Sequence, residues 1–122
     1  DDFIQCRWID VELKGKDGKH ILSTSNHYIV PCSNCSEDIT IDPFKDLKVK
    51  KNRFSIVLAY KLVPEGTKIG EVITFKYDKL LNNFILHKKV STIESYKNGE
   101  FETKTVVQTV KDFGLIYFSD YR

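Results

Sequence analysis

A chain of 122 residues fits one domain, spanning 1–122. Hydrophobic residues make up 41% and charged residues 30%, globular proportions that exclude intrinsic disorder. The net charge of +2 is too small to imply nucleic acid or an anionic membrane by itself, and no apolar run approaches the roughly 18–20 residues of a membrane span. With no methionine in the chain, Asp1 is not a retained initiator, so removal of an N-terminal segment or a longer gene is expected.

The dominant hydrophobic period is two. Phe3 to Leu13 is aromatic and β-branched, with Arg7, Ile9, Val11 and Leu13 opposite Cys6, Trp8, Asp10 and Glu12. Gly15-Lys16-Asp17-Gly18 is a turn signal, and His20-Ile21-Leu22 resumes extended structure, which predicts a hairpin. Residues 31–46 are irregular, and Asp42 to Val49 is too short and too strand-like for a helix. After a predicted turn at Lys51-Asn52, the runs Phe54–Tyr60, Glu71–Asp78 and Asn83–Val90 read as three consecutive antiparallel strands. Pro64-Glu65-Gly66 and Lys79–Asn82 connect them. Asn98-Gly99 predicts a hairpin turn between Ile93–Tyr96 and Phe101–Val107, and a last strand is predicted at Leu115–Phe118. The expected fold is all-β: an antiparallel β-sandwich or strongly curved sheet of about seven to nine strands built from consecutive hairpins. Trp8 is expected as a core anchor.

Pro31-Cys32-Ser33-Asn34-Cys35 is the sharpest local motif. A Cys32–Cys35 disulfide leads, since it suits an exported protein. Three alternatives stand beside it: two reduced thiols, half of a zinc site completed by Cys6, His20, His27 or His87, and a redox pair. The carboxylates of Glu37, Asp38 and Asp42 weigh against the last, because they raise a nearby thiol's pKa. They also lack the alternating spacing and glycine of a calcium loop. No metal or other cofactor is expected.

Lys48, Lys50, Lys51 and Arg53 form a basic run, with Lys48 and Lys50 on one strand face. Edge lysines discourage sheet aggregation, and clustered stacking aromatics are missing, so no nucleic-acid partner is expected. The chain has no GxSxG elbow, HExxH, Walker loop or dinucleotide fingerprint. His87 falls mid-strand beside Lys88, while His20 and His27 flank Ser23-Thr24-Ser25-Asn26 without an orienting acid. No catalytic residue is expected.

The order Asn26, Val30-Pro31-Cys32-x-x-Cys35, Asp42-Pro43-Phe44, Phe54-Ser55-Ile56, Thr74-Phe75-Lys76-Tyr77-Asp78, Asn82-Asn83 and Leu86-His87-Lys88 resembles the C-terminal region of a family of exported bacterial proteins. Members are often lipoproteins, and their function is unassigned. The likeness covers about residues 20–90, with a weaker echo at Lys111-Asp112-Phe113-Gly114. Ser36-Glu37 stands where the family has a glycine pair, Ile41-Asp42-Pro43-Phe44 replaces Gly-Asp-Pro-Phe, and Tyr60-Lys61-Leu62-Val63 replaces a Gly-Gly-Ser-type loop. The resemblance implies export to the periplasm or cell surface and an all-β fold. Membrane contact is then expected only through a lipid anchor outside this segment.

The leading expectation is a non-enzymatic protein-binding module of the bacterial envelope, in concrete form a periplasmic immunity or inhibitor protein against an effector. Its contact residues are expected in the acidic segment, Glu37, Asp38, Asp42 and Asp46, plugging a basic site. The alternatives are glycan binding through Trp8 or exposed Tyr28, Tyr60 or Tyr77, and a thiol enzyme using Cys32.

Overall fold

The computed structural model describes residues 7–30, 42–61 and 66–122. Cys6, Cys32, Cys35, Glu37 and Asp38 lie outside them, and so does the expected disulfide. Within the described residues the fold is nearly all β, with seven strands. A hairpin of β1 (Ile9–Lys14) and β2 (His20–Asn26) is separate from an antiparallel sheet in the order β3 (Phe44–Lys50), β4 (Arg53–Lys61), β5 (Lys68–Asp78), β6 (Asn83–Lys97) and β7 (Glu100–Thr109). The sheet is a simple meander and does not close into a barrel.

The turns account for the meander. Asn52, Asn82 and Asn98 adopt φ of 61°, 45° and 53°, a left-handed region that asparagine tolerates better than other side chains. Asn98 is followed by Gly99 at φ 79°, giving the two-residue hairpin geometry whose twist matches that of the strands.

One face of the sheet carries the core. Phe54, Ile56 and Leu58 of β4 stand opposite Val49, Leu47 and Phe44 of β3. Phe54 and Ile56 also pair with Phe75 and Ile73 of β5, and Phe84 and Leu86 of β6 complete the layer. Ile9, Val11, Leu13 and Leu22 of the hairpin pack onto this inner face. Phe118 is wholly buried and meets Phe54 and Phe75 edge-on, at ring separations of 5.1 and 5.0 Å. Burying each such side chain contributes about 1.5–3 kcal/mol.

A β-bulge decides which residues of β6 face inward. Thr74 pairs with Lys88 but Phe75 pairs with Leu86, so His87 is the extra residue. Before it, Phe84 and Leu86 point inward. Beyond it Lys89 and Ser91 take that side, while Lys88, Val90 and Thr92 turn outward. Lys89 therefore lies on the core side, 3.1 Å from Glu71 and 6.0 Å from the Tyr121 ring centre.

Three expectations need correction. The run Leu115–Phe118 makes only an isolated bridge, Ile85 to Tyr117, and continues into a 3₁₀ turn at Phe118–Asp120. The physical reason is that Phe118 must turn into the core instead of continuing along a sheet edge. Trp8 is 57% exposed, tilted against His27 at 5.3 Å, and does not anchor the core; the phenylalanines fill that space. The segments Asn83–Val90 and Ile93–Tyr96 are one unbroken strand of 15 residues.

The hairpin and the tail are tied together by Asn26, the buried polar residue of the core. Its Nδ2 donates to the carbonyls of Phe118 (2.6 Å) and Tyr121 (2.7 Å), and its Oδ1 accepts from the N–H groups of Tyr28 and Ile29, both at 2.7 Å. Its full bonding capacity is met, which is what makes its burial tolerable.

Candidate functional site

The outer face of the five-stranded sheet is the candidate site. No described strand or helix lies across it, because the hairpin and the tail both pack on the inner side. Its chemistry follows from the register, since directly paired residues share a face. At one end Lys50, Arg53 and Lys76 stand opposite one another on successive strands. The next row reads Lys48, Ser55, Thr74, Lys88 and Thr109, and the next Asp46, Val57, Val72, Val90 and Val107. Ala59, Gly70, Thr92 and Thr105 follow, then Lys61, Lys68, Glu94 and Thr103, and Tyr96 faces Phe101 at the far tip.

The face therefore runs from cationic through aliphatic to a small-residue hollow, then a mixed-charge row of Lys61, Lys68 and Glu94, and last an aromatic tip. The floor of the hollow is Gly70, where a Cβ would meet nothing within 4 Å. Tyr96 and Phe101 are 74% and 56% exposed, with ring centres 5.4 Å apart. The Ser55 and Thr74 hydroxyls share a hydrogen bond of 2.7 Å within the second row, between Lys48 and Lys88. His87 is held below the usual histidine range by partial burial and then by the charges of Lys76, Arg53 and Lys88.

No protein-family model, curated protein or solved structure matches this chain. Function must therefore be read from the surface itself.

Of the acidic residues expected to meet a partner, Asp42 and Asp46 lie among the described residues and are engaged locally. Asp42 takes a bidentate pair with Arg7, at 2.7 and 2.6 Å, and accepts from the Phe44 N–H at 3.1 Å. The guanidinium bond, followed by that N–H, holds its carboxyl down at about 2. Asp46 lies on the outer face at the β3 edge and accepts from the Leu47 N–H at 2.8 Å.

The aromatic residues proposed for sugar contact are dispersed. Tyr60 and Tyr77 are half-buried on the inner face; burial, then Glu71 and Tyr121, pushes Tyr60 up to about 12. Tyr77 donates to Asn82 Oδ1 at 2.6 Å. Tyr28 is exposed, but the Arg122 guanidinium covers its ring at 4.7 Å.

The histidines sit in three different settings. His20 approaches Glu12 at 3.4 Å on the hairpin, His27 lies against Trp8, and His87 belongs to the cationic corner. Among the described residues, no three His, Cys, Asp or Glu side chains converge as metal ligands, and no helix is long and apolar enough to cross a membrane.

Sequence reasoning placed Lys48 and Lys50 on one face, and the register agrees. It missed that Lys76 and Lys88 join them, because a strand's alternation does not reveal which distant strand lies beside it. The exposed Tyr96–Phe101 pair was detectable in principle, as two aromatic residues flanking an Asn-Gly turn on the same face of a hairpin.

Proposed function

We propose that this domain is a non-enzymatic protein-binding module of the bacterial envelope, in concrete form a periplasmic immunity or inhibitor protein that caps an effector. One observation carries the binding role: a stiff five-stranded sheet leaves its whole outer face uncovered by the described elements, with β3 and β7 as free edges among them. An open face next to unpaired edge strands can gain main-chain hydrogen bonds and side-chain contacts together, as in β-strand addition. The envelope location draws its support from the resemblance carried by Pro31-Cys32-x-x-Cys35 and the motifs after it, and the effector-capping form from the lack of catalytic motifs and the acidic sequence segment Glu37 to Asp46.

Photo-crosslinking tests this reading. Full-length baits labelled in turn at Thr92 and Val107 should capture the same envelope protein, whereas a label at Lys19 on the hairpin turn should not. Equal recovery from all three positions, or no recovery from the first two, would refute it.

A second reading, binding of an envelope glycan, draws support from the exposure of Trp8 beside His27. A glycan panel that leaves the Trp8 fluorescence unmoved would dispose of it.

A further inference from the structure

The cationic corner of the outer face is built at a cost. Like charges directly opposite one another on neighbouring strands are destabilising, yet Lys50, Arg53 and Lys76 form such a row across three strands. Lys48 and Lys88 flank the Ser55–Thr74 hydroxyl pair in the row beside it. Adjacent strands lie about 4.8 Å apart, so the five cations crowd into a patch on the order of 15 Å across. All five side chains are exposed, and none has a carboxylate within ion-pair distance among the described residues.

Asp46 and Asp78, the acids beside these cations on β3 and β5, make no ion pair with them among the described residues. Asp46 accepts from the Leu47 N–H, and Asp78, two residues beyond Lys76 on β5, accepts from the Leu81 N–H at 3.0 Å. With a net charge of only +2, the excess is local and not a property of the whole molecule.

We propose that this corner is an anion-binding site and that its occupant is a carboxylate-rich polypeptide segment. The inference rests on the protein-binding reading and gives that partner its chemistry. Beside the cations runs the aliphatic row Val57, Val72 and Val90, a surface for alternating acidic and apolar side chains. Nucleic acid would call for a run of stacking platforms, but among the described residues Tyr117, bridged to Ile85 next to Lys76, is the one aromatic of this face near the cations, and Tyr96 and Phe101 lie about 25 Å further along β6. The outer edge of β3 has no strand partner among the described residues, next to Lys48 and Lys50, so an extended acidic segment can pair there and set its carboxylates against the lysines.

The test uses the full chain and poly-L-glutamate, followed by calorimetry and amide chemical shifts. Binding should be mapped by shifts at Ser55, Thr74 and His87, and should weaken about tenfold between low and physiological salt. As carboxylates offset the surrounding cations, the His87 imidazole should titrate at higher pH in the complex than in the free protein. The double reversal R53E/K76E should lower affinity at least tenfold. The control reversal K16E/K19E on the hairpin turn changes net charge equally and should alter affinity less than about twofold.

Equal losses from the two variants would overturn the site. Tighter binding of an oligothymidylate, or of phosphatidylglycerol vesicles, would overturn the polypeptide assignment. If crosslinking captures a partner that R53E/K76E binds as well as the native chain does, this inference fails and the protein-binding reading stands. If poly-L-glutamate binds at the corner while crosslinking captures nothing, the reverse holds.

Discussion

Replacing Asn26 with alanine tests how the two layers are held together. The native side chain fills four hydrogen bonds at 2.6–2.7 Å, two to the tail and two to the chain just beyond β2. Truncation strands the carbonyls of Phe118 and Tyr121 and the N–H groups of Tyr28 and Ile29. Phe118 is fully buried and Ile29 is 3% exposed, so water cannot readily reach the groups on those two residues. Each unsatisfied buried group costs about 1–3 kcal/mol, which puts the loss near 3 kcal/mol out of a total of about 5–15. Urea denaturation should show a lower midpoint at unchanged slope.

The Asn26→Asp variant sharpens the test. It sets an oxygen where Nδ2 faced two carbonyls, and burial together with that contact raises the carboxyl's folded-state pKa above its unfolded value. Protonation then favours the folded state, so the variant should be least impaired at low pH and progressively worse as pH rises from about 4 to 7. An alanine variant within about 0.5 kcal/mol of native, or an aspartate variant indifferent to pH, would refute the account of Asn26 as the tie.

Two further outcomes follow from the structure. The Asp42 carboxyl is depressed to about 2 by Arg7, so the pair's contribution should be complete above the ordinary carboxyl range and disappear as pH falls through about 2. Carboxyl carbon shifts should show this, and Arg7→Gln should return the titration toward ordinary aspartate. Phe118→Ala should cost about 3–5 kcal/mol by chemical denaturation, since a fully buried aromatic leaves a cavity, while Phe101→Ala at the exposed tip should stay within about 0.5 kcal/mol.

The middle of the sheet was legible because Phe54–Tyr60 and Glu71–Asp78 alternate cleanly and are bounded by Asn and Gly turns. Their pairing as a consecutive meander then needed only adjacency. Beyond the His87 bulge, the alternation of β6 changes sides, and no local pattern announces a one-residue insertion. Leu115–Phe118 has strand composition, but the core needed Phe118 as a plug, and tertiary demand overrode propensity. Trp8 was misjudged because size and hydrophobicity favour burial without ensuring it. Asn26 carried no periodic signal at all; its importance arises from partners 92 and 95 positions away. The candidate surface was half visible for the same reason: Lys48 and Lys50 are neighbours in sequence, whereas Lys76 and Lys88 become their neighbours only through the register of three strand pairs.

The tail's place in the core has a consequence for the order of events during synthesis. Since Phe118 and Tyr121 close the layer that Asn26 opens, a chain emerging from the ribosome can form its meander early but cannot seal the interior until these two residues have also cleared the exit tunnel. Until then Phe54 and Phe75 lack their edge-on partner. Such long-range closure slows folding, and the nascent domain passes through an interval in which its aromatic interior is open to chaperones.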